Sequence, residues 1–156
     1  MSGGSASGGA EDVGELLSET AVTVFRVHGR FLEVSEGLAR PAGLTAAWWQ
    51  VLGAVLREPL PVAGIARAMG MTRQGVQRVA DLLVEKELAE YRPNPAHKRA
   101  KLLAPTDEGR AAVARIRPGH RELAERLAGE LGVDGWRDCL ESLRRLSAAM
   151  ERVTEA

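Results

Sequence analysis

The sequence predicts a mostly α-helical chain with a small β-hairpin wing: a winged helix-turn-helix flanked by long N- and C-terminal helices. Three observations predict it. Through the first and last stretches of the chain, apolar residues recur three or four apart, as helices with one buried stripe require. Between about Pro61 and Leu103 two shorter helical segments meet across the turn Gly70-Met71-Thr72. Two strand-like runs then enclose a polar, proline-bearing loop with basic residues at its tip.

Residues 1 to 10, MSGGSASGGA, hold nothing to bury and read as a flexible tail outside the fold. From Glu11 to about Ala39 the apolar positions Val13, Leu16, Leu17, Ala21, Val24, Phe31, Leu32 and Leu38 predict a long first helix, ended by Pro41 and Gly43. Thr45 can cap a second helix through Trp48, Leu52, Val55 and Leu56, before Pro59 and Pro61 break the pattern. A short helix over about Val62 to Met69 follows, and Thr72 is placed to cap a helix from Arg73 to about Glu87. Leu88 to Arg92 and Ala100 to Ala104 read as strands around the loop Pro93 to Arg99. Thr106-Asp107-Glu108 opens a further helix, with an acceptor side chain and two acids at its positive end. Pro118-Gly119 should kink or interrupt that helix, which resumes through Leu123, Leu127 and Leu131 to Gly132. Asp134 can cap a last helix with one stripe of Trp136, Leu140, Leu143, Leu146, Met150 and Val153.

The chain's 156 residues, 45% of them hydrophobic, suit one compact domain over residues 11–156. Leu, Ala and Arg dominate and aromatics are few, which favours helix. Formal charge is zero, so nothing global marks a nucleic-acid or membrane-surface binder. Charge is instead segregated. From Arg67 to Lys101 stand Arg67, Arg73, Arg78, Lys86, Arg92, Lys98, Arg99 and Lys101 against Asp81, Glu85, Glu87 and Glu90, a local net of +4. The single cysteine, Cys139, excludes an intrachain disulfide. With acidic Asp138 beside it, it reads as a structural thiol. No run approaches the roughly 18 apolar residues of a membrane span, and no signal-peptide layout opens the chain, so a cytoplasmic location without membrane association is expected.

Two helices that cross steeply need a small residue at the contact, a turn residue free to take positive φ and an apolar anchor on the second helix. Ala66, Gly70 and Val76 meet these needs. With Val76, Val79 and Leu83 facing the core, Arg73, Gln74, Gln77, Arg78 and Asp81 face outward. Arg and Gln suit the edges of guanine and adenine in a major groove, although a polar face of this kind also serves as plain solvated surface. The loop adds His97, Lys98, Arg99 and Lys101, placed to enter a minor groove or clamp phosphates. The candidate DNA-contacting set is therefore Thr72, Arg73, Gln74, Gln77 and Arg78 with His97, Lys98, Arg99 and Lys101. The competing class is a winged-helix module whose basic face binds a protein instead of DNA.

The segments GLTAAWWQVL and LPVAGIARAMGMTRQGVQRVADLLVEKELAEYRPNPAHKRAKLLAPTDEGR resemble the MarR family of bacterial winged-helix regulators, closely from Leu44 to Arg110. The resemblance implies a transcriptional regulator, expected to be a repressor. It also implies a homodimer held by helices in 11–40 and 106–156, with two lobes of residues 44–104 on a pseudo-palindromic double-stranded site. Two positions depart from the family pattern. Glu87 stands where many relatives have glycine, which counts against their left-handed cap, and the wing lacks the acidic residue that many relatives carry near His97. Gly75 inside the recognition helix should cost about 1 kcal/mol against alanine, for which a close approach to DNA and plain tolerance are both adequate readings.

Many such relatives release DNA when a small aromatic or phenolic molecule enters a crevice beside the winged lobe, and His28, Phe31, Trp48 and Trp49 are the candidate lining residues. Taken singly, each reads first as a core-packing residue and only second as a ligand contact. The histidines His28, His97 and His120 are too scattered for a metal, no cofactor is implied, and no phosphate-binding glycine loop, HExxH or GxSxG marks an enzyme.

Overall fold

The computed structural model describes residues 8–155. Its contacts divide the chain into two compact units, one running to Ala114 and one beginning at Arg115. In the first unit, helix α1 (Gly8–Ala39) already includes Gly8 to Ala10, which composition assigned to the tail; the rest of that tail, residues 1–7, lies outside the described residues. A 3-10 turn (Arg40–Ala42) closes on Gly43, whose φ of 78° lies in the left-handed region. Helix α2 (Ala46–Val55) receives two caps. Thr45 Oγ1 accepts from the Trp48 N–H at 3.1 Å, as its sequence position predicts, and the Glu36 carboxylate of α1 accepts from the Ala46 N–H at 2.8 Å. Both donors are among those that a helix start leaves unpaired.

Strand β1 (Leu60–Pro61) is too short to show a period in the sequence. Helix α3 (Val62–Met69) ends at Gly70, in the left-handed region at φ 63°, and the Met71 N–H donates back to the Ala66 carbonyl at 3.0 Å. Thr72 then caps α4 (Arg73–Glu85) by accepting from the Gly75 N–H at 3.0 Å. Ala66 and Val76 are buried, so the small contact residue, turn glycine and apolar anchor all take the expected places.

Helix α4 stops two residues before the expected Glu87, because Glu87 itself adopts φ 60°. Its N–H donates to the Val84 carbonyl at 3.0 Å and the Leu88 N–H to the Leu83 carbonyl at 2.8 Å, the paired bonds of a Schellman cap. The left-handed cap that glutamate argued against is therefore present. This also trims the hairpin. With Leu88 committed to the cap and the Ala100 N–H to the His97 ring, strands β2 (Ala89–Arg92) and β3 (Leu102–Pro105) are shifted from the expected Leu88–Arg92 and Ala100–Ala104. The sheet is antiparallel in the order β1-β3-β2, with Ala89 opposite Pro105 and Leu60 opposite Leu103.

The base of the wing is fastened to helix α5 (Asp107–Leu131) by Thr106, which donates to the Glu87 carbonyl at 2.7 Å and accepts from the Gly109 N–H at 3.1 Å. Gly109 sits so close to the Leu88 carbonyl that a Cβ there would collide with it, so glycine is required. Leu52, Val55, Ile65, Val76, Leu83 and Leu103 are fully buried and make the core of the lobe.

In the second unit α5 runs unbroken through Pro118 and Gly119, so the expected interruption does not occur; strong helix formers resume at Arg121, Glu122, Leu123 and Ala124. Helix α6 (Val133–Thr154) starts after Gly132 at φ 70°, which takes the cap position without a side-chain bond. Asp134, the expected cap, lies inside the first turn instead, where it meets the helix dipole and Arg137 at 3.3 Å. No residue of α6 is buried. Cys139 is exposed, against the expectation of a packed structural thiol.

Candidate nucleic-acid interface

One face of α4 is core: Val76, Val79, Ala80 and Leu83 are buried. The 3.6-residue period then forces Arg73, Gln74, Gln77, Arg78 and Asp81 to the opposite side, and all five are exposed. Arg73, Gln74 and Arg78 carry no protein partner among the described residues, so three long polar side chains stand ready on one helix face. Thr72 spends its oxygen as acceptor on the cap, which keeps its hydroxyl proton for an outside acceptor.

Gly75, third in the helix, is explained by the cap. A Cβ there would lie 2.9 Å from Thr72 Oγ1, too near for the capping hydroxyl to stay where it is. The helix gives up propensity and keeps a close-fitting cap.

Gln77 behaves differently from its neighbours. Its amide nitrogen lies 3.0 Å from Asp81 Oδ1 and 2.9 Å from the Tyr91 hydroxyl, and that hydroxyl donates to Asp81 Oδ1 at 2.6 Å. These three residues join the recognition helix to wing strand β2. Burial, then the bond to Asp81 and its charge, push the Tyr91 hydroxyl up to about 12, while the Gln77 bond acts in the other direction. Tyr91 is the residue that sequence reasoning missed. A tyrosine alternating along a strand looks like packing, and its partner lies ten positions away across a turn.

The wing loop is built by its own polar groups. Asn94 Oδ1 accepts from the Ala96 N–H at 3.0 Å, the Asn94 carbonyl from the His97 N–H at 3.2 Å, and His97 Nδ1 from the Ala100 N–H at 3.2 Å. His97 therefore braces the loop. Lys98 and Arg99 extend from it exposed, Lys101 places its ammonium 6.0 Å from the centre of the Tyr91 ring, and Arg92 is held by Glu90 at 2.7 Å. Between helix and wing a cavity of about 360 Å³ is lined by Val62, Gln77, Tyr91, Arg99 and Lys101 among others. The arrangement offers forked donors on a helix of groove-fitting width, with separate cations beside it.

The other candidates lie on α1 and α2. His28 and Phe31 are exposed on α1, and Trp48 and Trp49 are half-buried in α2. Among the described residues no group of three or more His, Cys, Asp or Glu side chains converges as a metal site would need, and no helix is long and apolar enough to cross a membrane.

A family model described as the MarR family matches residues 42–100. An uncharacterized protein of Mycobacterium tuberculosis is 36% identical over 135 residues, which cover 86% of this chain and 94% of that protein. Among solved structures, the transcriptional repressor CouR bound to a 23-mer DNA duplex is similar at 27% identity and a TM-score of 0.72, covering 86% of this chain and 96% of CouR. BpsR of Bordetella bronchiseptica, whose DNA binding is regulated by 6-hydroxynicotinic acid, matches with a TM-score of 0.72 at 22% identity, covering 83% of this chain and 98% of BpsR.

Proposed function

The chain belongs to the MarR family of winged-helix transcription regulators, and from that premise we propose that it is a homodimeric repressor that reads a pseudo-palindromic duplex and is released by a small aromatic or phenolic effector. In this reading residues 11–40 and 106–156 supply the dimer contacts and residues 44–104 the DNA-binding lobe. Arg73, Gln74, Gln77 and Arg78 enter the major groove. Thr72, Lys98, Arg99 and Lys101 hold phosphate or the adjacent minor groove, and His97 shapes the loop that presents them. The observation that carries it is the α4 face of Arg73, Gln74 and Arg78, exposed and without a partner among the described residues, opposite a buried apolar face. CouR, bound to duplex, and BpsR, regulated by a hydroxylated aromatic acid, support the two halves of the reading by similarity.

The test is duplex binding measured across a salt series on a site selected from random sequence. Affinity should fall log-linearly with salt, with a slope of about 0.9 for each phosphate contacted. Arg78→Ala should cost about 1–3 kcal/mol on the selected site and little on random duplex, while Lys98→Ala should weaken both equally. Aromatic acids and phenols, added in the same assay, should release the wild-type protein and lose effect in Trp48→Ala. Duplex binding that ignores salt and both DNA-face substitutions would overturn the regulator reading, and release unchanged by Trp48→Ala would overturn the effector site.

A further inference from the structure

The triangle of Gln77, Asp81 and Tyr91 has a geometry that restricts what Gln77 presents outward. Asp81 Oδ1 and the Tyr91 oxygen are 2.6 Å apart, while the two protons of an amide nitrogen diverge by about 120°. Both acceptors therefore share one proton of Gln77, at 3.0 and 2.9 Å. The second amide proton and the carbonyl oxygen are left over, and Gln77 lines the open cavity between helix and wing. Those two groups are what a bidentate contact to adenine uses, donating to N7 and accepting from the N6 amino group.

The direction of the bonds is also fixed. Tyr91 gives its single proton to the carboxylate, so toward Gln77 it can only accept. A flipped amide would aim its carbonyl oxygen at two oxygens that offer it no proton. A free glutamine samples both amide orientations; this one is held in the orientation that matches adenine.

We propose that Tyr91 and Asp81 are positioning residues that lock the Gln77 amide and so set the base preference at one position of the DNA site. The proposal rests on α4 reading DNA as argued above. Tyr91 lies on wing strand β2, so the wing, besides holding backbone, determines how the recognition helix reads sequence.

The experiment is selection of duplexes from a random pool by the wild type, Gln77→Ala, Tyr91→Phe and the double variant, each checked for folding by circular dichroism. Gln77→Ala should flatten one position of the motif, with a loss of about 5- to 100-fold in preference. Tyr91→Phe should reduce preference at that same position by about two- to tenfold, since the amide loses one of its two anchors and is held by Asp81 alone, and leave the other positions and the affinity for random duplex unchanged. In the double variant Tyr91→Phe should add nothing. A motif whose every position survives Tyr91→Phe, or an equal loss on all duplexes, would overturn the positioning role while leaving DNA reading intact. A wild type that selects no motif would overturn DNA reading, and the positioning role with it.

Discussion

Tyr91 is the only tyrosine in the chain, which makes its environment measurable without labels. Desolvation is the largest cause of its raised pKa, with the Asp81 bond and charge adding to it. Below pH 10 both the folded and unfolded chains keep the phenol proton, and the contribution of the network to stability is complete. Between about pH 10 and 12 the unfolded chain loses the proton while the folded one retains it, so stability falls as pH rises, and above 12 the contribution is gone. A tyrosinate absorbance titration should therefore have its midpoint near 12 in the folded protein and near 10 in denaturant. Asp81→Asn should bring the folded midpoint down toward 10. A folded midpoint of 10 in the wild type would mean that neither burial nor Asp81 acts on the hydroxyl. The sequence shows the outward placement of Gln77 and Asp81 through the helical period, but not their ties to Tyr91. Those depend on the hairpin folding back over α4, a long-range event that no local pattern encodes.

At the scale of elements, what was legible was whatever carries its own punctuation. Helix α3, the Gly70 turn and the Thr72 cap of α4 were readable because the signals are local and adjacent in the chain. Strand β1 was not, because its two residues gain strand character only from pairing with Leu102 and Leu103, some forty positions on. The end of α4 departs from its sequence pattern for a related reason. Glutamate disfavours positive φ, yet the junction of Glu87, Leu88, Thr106 and Gly109 overrides that preference. Two substitutions at this joint should have opposite signs, each against first expectation. Gly109→Ala would normally gain about 1 kcal/mol in a helix, but the methyl meets the Leu88 carbonyl and should cost about 1–3 kcal/mol. Glu87→Gly, normally unfavourable, should be stabilising by about 0.5–1 kcal/mol, because glycine relieves most of the left-handed penalty and loses some of it to unfolded-chain entropy. Urea unfolding of the two variants decides both. If Gly109→Ala proves the more stable, the close approach of α5 to Leu88 is wrong.

At the scale of the whole molecule, each compact unit taken alone leaves apolar surface in water. In the first, α1 exposes Leu16 and Leu17 at 63% each and Phe25 at 71%; in the second, α6 exposes Leu143 at 49% and Val153 at 71%. Fully burying one such side chain is worth about 1.5–3 kcal/mol, so a helix that shows several gains by association. A second copy of the chain is the usual partner, because a two-fold axis lets the same stripe cover itself. The chain should therefore sediment at twice its mass at micromolar concentration. Leu17→Glu and Leu143→Glu should each shift it to the monomer, since each places a charge in a surface that association would dry. The lobe core of Leu52, Ile65, Val76, Leu83 and Leu103 contains neither residue, so near-native helix content should persist in both variants. A monomer can engage only one half-site, so its salt slope on the selected duplex should be about half that of the dimer. A wild type that remains monomeric and yet binds the full site with the full salt slope would show that two-fold association has no part in recognition. If only one of the two glutamate variants dissociates, the helix it lies on carries the interface alone.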